Sequence, residues 1–217
     1  MKPTRHRNVV VSLQRKDLLR LVHSRDAYGI AGRNYVATVS KARGLTTEAL
    51  NRVTDPYSAL SLRLQAVFGL RRVESIKIRP DWADRGDKLV LKNTWCMGGR
   101  EREVPIRADL QRAVLDDAKR LAGTGSLIPE DMSYVDQLQR FKGQCAKANI
   151  RHVHGLRHAY AEQRYKELTG RDCPAAGGKP SAELDAEEQI LDTEARLIIS
   201  NELGHRQVKE TVAYLGR

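Results

Sequence analysis

The densest group of chemically able side chains is His152-Val153-His154-Gly155-Leu156-Arg157-His158, three imidazoles and a guanidinium within seven residues. Imidazoles move protons near neutral pH, and a guanidinium is a permanent planar cation matched to oxyanions. His154 and His158 are four apart and share a helix face, as paired metal ligands on helices do. A third ligand at a familiar spacing is missing, no HExxH glutamate is present, and Arg157 sits where a cation would be repelled. Neither a metal centre nor a cofactor is expected. Two further groups flank the cluster: Gly69-Leu70-Arg71-Arg72-Val73-Glu74 upstream, and Leu203-Gly204-His205 downstream, with Tyr214 nine residues later. Each has a plain reading when taken alone. Tyr214 could pack a terminal helix, Arg71 and Arg72 could be a solvated pair, and His205 after Gly204 could be a helix C-cap residue near the negative end of the helix dipole.

The elements that must position these groups are mostly helical. Thr54-Asp55-Pro56 is a helix start, a capping side chain followed by proline at the first helical position, and the helix runs to about Phe68 with Leu60, Leu64 and Val67 on one buried face. A second short helix covers Leu70–Ile76 and is ended by Pro80. The period then changes. Lys88–Lys92 and Arg102–Ile106 read as two antiparallel strands turned around Gly98-Gly99. Helices follow over about 108–122, 134–148, 154–169 and 184–203, with a last short one from about 207 and an irregular loop over Cys173–Pro180. Leu13–Ser24 and Asn34–Arg43 read as two short basic helices. The expected fold class is α+β, mostly α: a helical bundle with one small antiparallel sheet. The expected domains are a short basic helical arm or reduced core-binding region over 1–50 and a larger domain over 51–217.

Composition narrows the functional classes. In 217 residues, 41% hydrophobic and 30% charged, no apolar run approaches the roughly 18 residues of a membrane-spanning helix. No signal peptide is read in Met1–Arg7, so the expected compartment is the cytoplasm. Cys96, Cys145 and Cys173 form no CxxC pair and are expected as free thiols. The net charge is +11, and residues 1–107 carry 22 Lys and Arg against 10 Asp and Glu. Such a field concentrates phosphate polymers and makes their binding salt-dependent.

Taken in order, the Gly-Leu-Arg-x-x-Glu block at 69–74, the His-Gly-Leu-Arg-His block at 154–158, Leu203-Gly204-His205 and Tyr214 resemble the tyrosine recombinase family, the phage-integrase-like enzymes that cut and rejoin DNA through a phosphotyrosine. Four of the family's five blocks are present, and the resemblance runs over about 50–217. It is similar in this to integrases of bacterial mobile elements. The resemblance implies a recombinase catalytic domain acting on double-stranded DNA in the bacterial nucleoid, as a homo-oligomer, a tetramer, on DNA. It implies Tyr214 as nucleophile, Arg71 and Arg157 on the phosphate oxygens, His154 in proton transfer and phosphate orientation, and His205 donating a hydrogen bond to a phosphate oxygen. No ATP or metal enters such chemistry, because the phosphotyrosyl bond keeps the energy for religation. Glu74 is expected to orient Arg71 or the sheet. Arg72, Lys92, Arg100 and Arg102 are expected DNA-backbone contacts by location.

The departure is in the hairpin. The family's lysine, eight residues before the proline of the second strand, protonates the departing 5′-oxygen; here that position is Met97. A thioether donates no proton, and loss of a general acid costs about 10²–10⁴ in rate. Lys92, an odd number of residues away, is expected on the opposite strand face. Only Leu215-Gly216-Arg217 follows Tyr214, and residues 1–50 are short for a DNA clamp. The function that the resemblance implies is site-specific DNA strand cleavage and rejoining, for integration or excision of a mobile element. Alternatives are a catalytically impaired relative that occupies recombination sites without cutting, and a relaxing topoisomerase of the same chemistry.

Overall fold

Helix α1, Thr47–Asn51, opens the computed structural model's helical body and is capped by the Thr46 hydroxyl, which accepts from the Ala49 amide at 3.2 Å. The structure describes residues 35–96, 98–205 and 207–217, so Leu13–Ser24 and Met97 lie outside the described residues. Val36–Arg217 form a single unit.

Helix α2, Pro56–Phe68, starts as its sequence demands: the Asp55 carboxylate accepts from the Ser58 amide at 2.8 Å, and Pro56 occupies the first turn. It stops at Gly69, whose φ of 61° is left-handed and whose absent Cβ would lie 2.6 Å from the Tyr160 ring. Leu60, Leu64 and Phe68 face the main core, while Leu62 on the other side joins a second cluster with Val53, Ile76, Phe141, Cys145 and Leu156. α2 is thus the central helix, buried on two faces rather than the single one its leucine spacing predicts.

Helix α3, Arg72–Lys77, begins immediately after the corner, and the Glu74 carboxylate accepts from the Arg71 amide at 2.6 Å. Pro80 does not end this helix. It begins a further one, α4, Pro80–Ala83, because proline is as suited to a first turn as to a stop. Strands β1, Lys88–Leu91, and β2, Arg102–Pro105, pair antiparallel with Leu91 opposite Arg102. A 3₁₀ turn at Asn93–Trp95 fills part of the connection, and Gly98 and Gly99 both have positive φ, as the expected turn requires.

Four long helices complete the body: α5, Asp109–Ala122, α6, Tyr134–Lys147, α7, Gly155–Thr169, and α8, Ala186–Leu203. The Cys173–Pro180 loop contains one 3₁₀ turn, Pro174–Ala176. After α8 come a 3₁₀ turn, Val208–Thr211, and α9, Val212–Leu215. The core is mixed: Leu89, Leu91 and Val104 of the sheet pack with Leu115 of α5, Tyr165 of α7, Ile199 of α8 and Leu215 of α9. The helix expected over Asn34–Arg43 is absent from its described part. Residues 36–43 instead run as non-helical chain, with the Ala37 amide donating to Val212 at 2.9 Å and the Arg43 amide to Gly155 at 3.0 Å. A segment whose backbone polar groups find partners on neighbouring elements has no need of a helix to satisfy them. Among the described residues no helix is long and apolar enough to cross a membrane.

Candidate active site

Three junctions create the site. Arg71 lies at the α2–α3 corner, His154 and Arg157 open α7, and His205 and Tyr214 lie beyond the Gly204 stop of α8, whose φ is 68°. At the first junction, Glu74 is fully buried and receives Arg71 Nη1 at 2.9 Å together with both terminal nitrogens of Arg102 at 2.7 Å. Burial alone would raise the Glu74 carboxyl; the Arg102 hydrogen bonds and the charges of Arg102, Arg157 and Arg71 outweigh it and bring it to about 2. Glu74 therefore orients Arg71 and ties it to the hairpin, as its place one turn after Arg71 suggests.

Arg102 corrects its sequence reading. Its side chain is 3% exposed, its guanidinium forks onto Glu74, and its Nε donates to the Glu202 carbonyl at 2.9 Å. It braces the sheet against α8 from inside, so it presents no surface to DNA. Arg72 and Arg100 are exposed, and Arg100 Nη1 reaches the His205 carbonyl at 3.0 Å. Lys92 lays its ammonium 4.0 Å from the Trp82 ring centroid.

At the second junction Arg157 is 1% exposed. It donates from Nη1 to the Gly69 carbonyl at 2.5 Å, from Nη2 to the Leu203 carbonyl, and from Nε to the Tyr214 hydroxyl at 3.2 Å. Both carbonyls belong to the last turn or stop of a helix, where carbonyls lack intrahelical partners. One side chain thereby joins the ends of α2 and α8 to the phenol. Burial first, then the neighbouring cations Arg71 and Arg102, lower Arg157 to about 10, so it stays a cation at neutral pH.

Tyr214 is 6% exposed and is surrounded by three imidazoles, with ring centroids at 4.6 Å for His158, 5.3 Å for His205 and 5.9 Å for His154. His154 Nε2 lies 3.5 Å from its hydroxyl. All three imidazoles are shifted toward the neutral form: His158 and His205 to about 4, and His154 downward, in each case by desolvation first and by neighbouring charge second. With Arg157 donating to the hydroxyl oxygen, the phenol proton is free to point at a neutral His154 Nε2. That arrangement can withdraw a proton on one side and stabilise the phenolate on the other.

Arg71 joins this group through its field, which depresses His154, His205 and Arg157 alike. It also lines, with Arg72, Lys77, His152, His154 and Tyr134, a cleft of about 850 Å³. The structure thus brings Arg71, His154, Arg157, His205 and Tyr214 into one cluster. Two further residues join the cluster: His158, which the sequence marked only as part of the histidine block, and Glu210, which it did not mark. His158 has its ring nearest the phenol, a place its position one helical turn after His154 allows. Glu210 accepts from His205 Nδ1 at 2.9 Å, and nothing in its spacing marks it.

A search of curated proteins found no match. A solved structure of the XerH site-specific recombinase, bound to palindromic difH substrate in a post-cleavage complex, is similar over 87% of this chain at 13% identity and a TM-score of 0.48. This chain spans about half of that protein, 51% of its length. The family model named Integrase matches residues 31–163, more than half of the chain and including the Arg71 corner and the His154–Arg157 turn, and so the chain belongs to the tyrosine recombinase family of integrases.

Proposed function

We propose that this chain is a site-specific DNA recombinase that cleaves and rejoins strands through a 3′-phosphotyrosyl bond to Tyr214. The observation that carries the reading is the Tyr214 hydroxyl held between Arg157 Nε at 3.2 Å and His154 Nε2 at 3.5 Å. The phenol oxygen attacks the scissile phosphorus and its proton passes to His154; the P–O5′ bond breaks, and the 5′-oxygen takes a proton from solvent to leave as a hydroxyl, since Met97 has none to give. Negative charge growing on the non-bridging oxygens meets Arg71 and the two Arg157 N–H bonds not used on Gly69, Leu203 and Tyr214. In this reading residues 51–217 carry the chemistry, the basic residues 1–50 help to hold DNA, and Arg72, Lys92 and Arg100 contact the backbone. A homo-oligomer, a tetramer, assembles on double-stranded DNA of a bacterial mobile element for its integration or excision.

A second reading, a DNA-binding relative that does not cut, is favoured by Met97, which stands where the family places its proton-donating lysine. A nicked suicide substrate built from the element's own ends separates the two. A covalent protein–DNA band from wild type that vanishes in Tyr214→Phe supports the recombinase. A band from Met97→Lys alone identifies a disarmed enzyme. No band from either, on DNA that the protein binds, supports the non-cutting relative.

A further inference from the structure

His205 is 8% exposed, and its two ring nitrogens have opposite surroundings. Nδ1 lies 2.9 Å from the Glu210 carboxylate, whereas Nε2 is buried without a hydrogen-bond partner among the described residues. A buried polar atom left unpaired is a cost that native structures rarely carry without a use. An ionised carboxylate can only accept, so in the neutral ring Nδ1 carries the hydrogen and Nε2 is a bare lone pair. A lone pair repels a phosphate oxygen. For His205 to donate to the phosphate, Nε2 must first gain a proton.

The groups facing the ring divide in their effect. Arg157 from α7 and Arg71 from the α3 corner oppose the imidazolium, and Glu210 favours it. Arg100 touches the His205 backbone carbonyl, and the Tyr214 ring lies alongside. An arriving phosphate adds negative charge on the Nε2 side and tips this balance, leaving an imidazolium held between two anions. Glu210 belongs to the 3₁₀ turn that leads into α9, so the same contact ties His205 to the segment that carries Tyr214.

We propose that Glu210 is a positioning residue that holds the His205 ring with Nε2 toward the reaction centre, and that binding of the DNA phosphate takes up one proton at that nitrogen. The proton comes from solvent, the Nε2–H then donates to a phosphate oxygen, and no other bond changes. This rests on the recombinase reading for its ligand.

Two measurements test it. The first needs no DNA: nitrogen-15 NMR of the imidazoles in the intact protein at neutral pH. His205 is expected as the Nδ1–H tautomer in wild type and in Glu210→Asp, and as a mixture in Glu210→Gln. An Nε2–H tautomer in wild type overturns the proposal. The second is calorimetric titration with duplex DNA in buffers of different ionisation heat. Wild type is expected to take up about one proton, with affinity falling by up to about tenfold per pH unit as pH rises. Glu210→Gln should take up well under half as much, and Glu210→Asp should restore it. Equal uptake in wild type and Glu210→Gln, or none in wild type, overturns the proposal. If no duplex binds, the recombinase reading fails, and the tautomer result still decides the role of Glu210.

Discussion

The two arginines of the site occupy contrasting corners. Arg157 is enclosed and bonded to two helix-end carbonyls and a phenol, whereas Arg71 lines an open cleft and makes its side-chain bond to a carboxylate that a second arginine also neutralises. The same side-chain type is in one place a structural keystone that commits three of its five N–H bonds to the protein, and in the other a cation open to the cleft. What separates them is the partner. Carbonyls at helix ends require a donor in any state of the protein, while the Glu74 carboxylate, already forked by Arg102, leaves Arg71 free to face a ligand.

Breaking the enclosed corner has the largest expected effect. Arg157→Ala leaves the Gly69 and Leu203 carbonyls unpaired beneath the surface, and urea unfolding should show a loss of about 2–6 kcal/mol, with no strand cleavage remaining. Glu74→Ala should come next. It strands the Arg102 guanidinium, 3% exposed, without its counter-ion, for a loss of about 3–5 kcal/mol by the same measurement. Arg71→Ala sharpens the contrast: stability should change by no more than about 1 kcal/mol, while cleavage falls by about 10²–10³. An Arg71→Ala protein as unstable as Arg157→Ala would erase the distinction between the corners.

The corners also differ in their acid response. The Glu74 carboxyl is held at about 2, below its ordinary 4.5, so its contribution is complete above 4.5 and is lost as pH falls from there toward 2. His158 and His205 are depressed from 6.5 to about 4, so the unfolded chain binds protons that the folded one refuses, and stability drops as pH falls through 6.5 toward 4. Acid unfolding should therefore have two stages. His158→Phe should weaken the upper one, and Glu74→Gln should remove a part of the lower one. The smallest effect is at the rim, where Arg100→Ala should weaken DNA binding and reduce the slope of log affinity against log salt by about one.

Much of this was legible in the sequence, for identifiable reasons. Asp55-Pro56 and Gly69 bracket α2 because a capping carboxylate, a proline without N–H and a left-handed glycine each have one favourable position at a helix end. The blocks at 69–74, 154–158 and 203–214 singled out, by type and order, five residues that the structure brings together. The sequence was silent where tertiary partners decide. Leu62 shows that α2 is buried on both faces, which one leucine stripe does not reveal. Arg102 reads as a surface cation until Glu74 is seen beside it, and residues 36–43 read as helix until their amides are seen bonded to Val212 and Gly155. The Glu210–His205 contact joins residues five apart across a helix stop and a 3₁₀ turn, a spacing that periodicity does not interpret.

The central claim is that the Tyr214 hydroxyl is the atom that joins DNA. The most direct test is to trap protein on a nicked substrate, digest with trypsin and nuclease, and locate the nucleotide adduct by mass spectrometry. The account predicts it on Tyr214, within the Glu210–Arg217 peptide released by cleavage after Lys209. An adduct on another residue, or none on DNA that the protein binds, would contradict it.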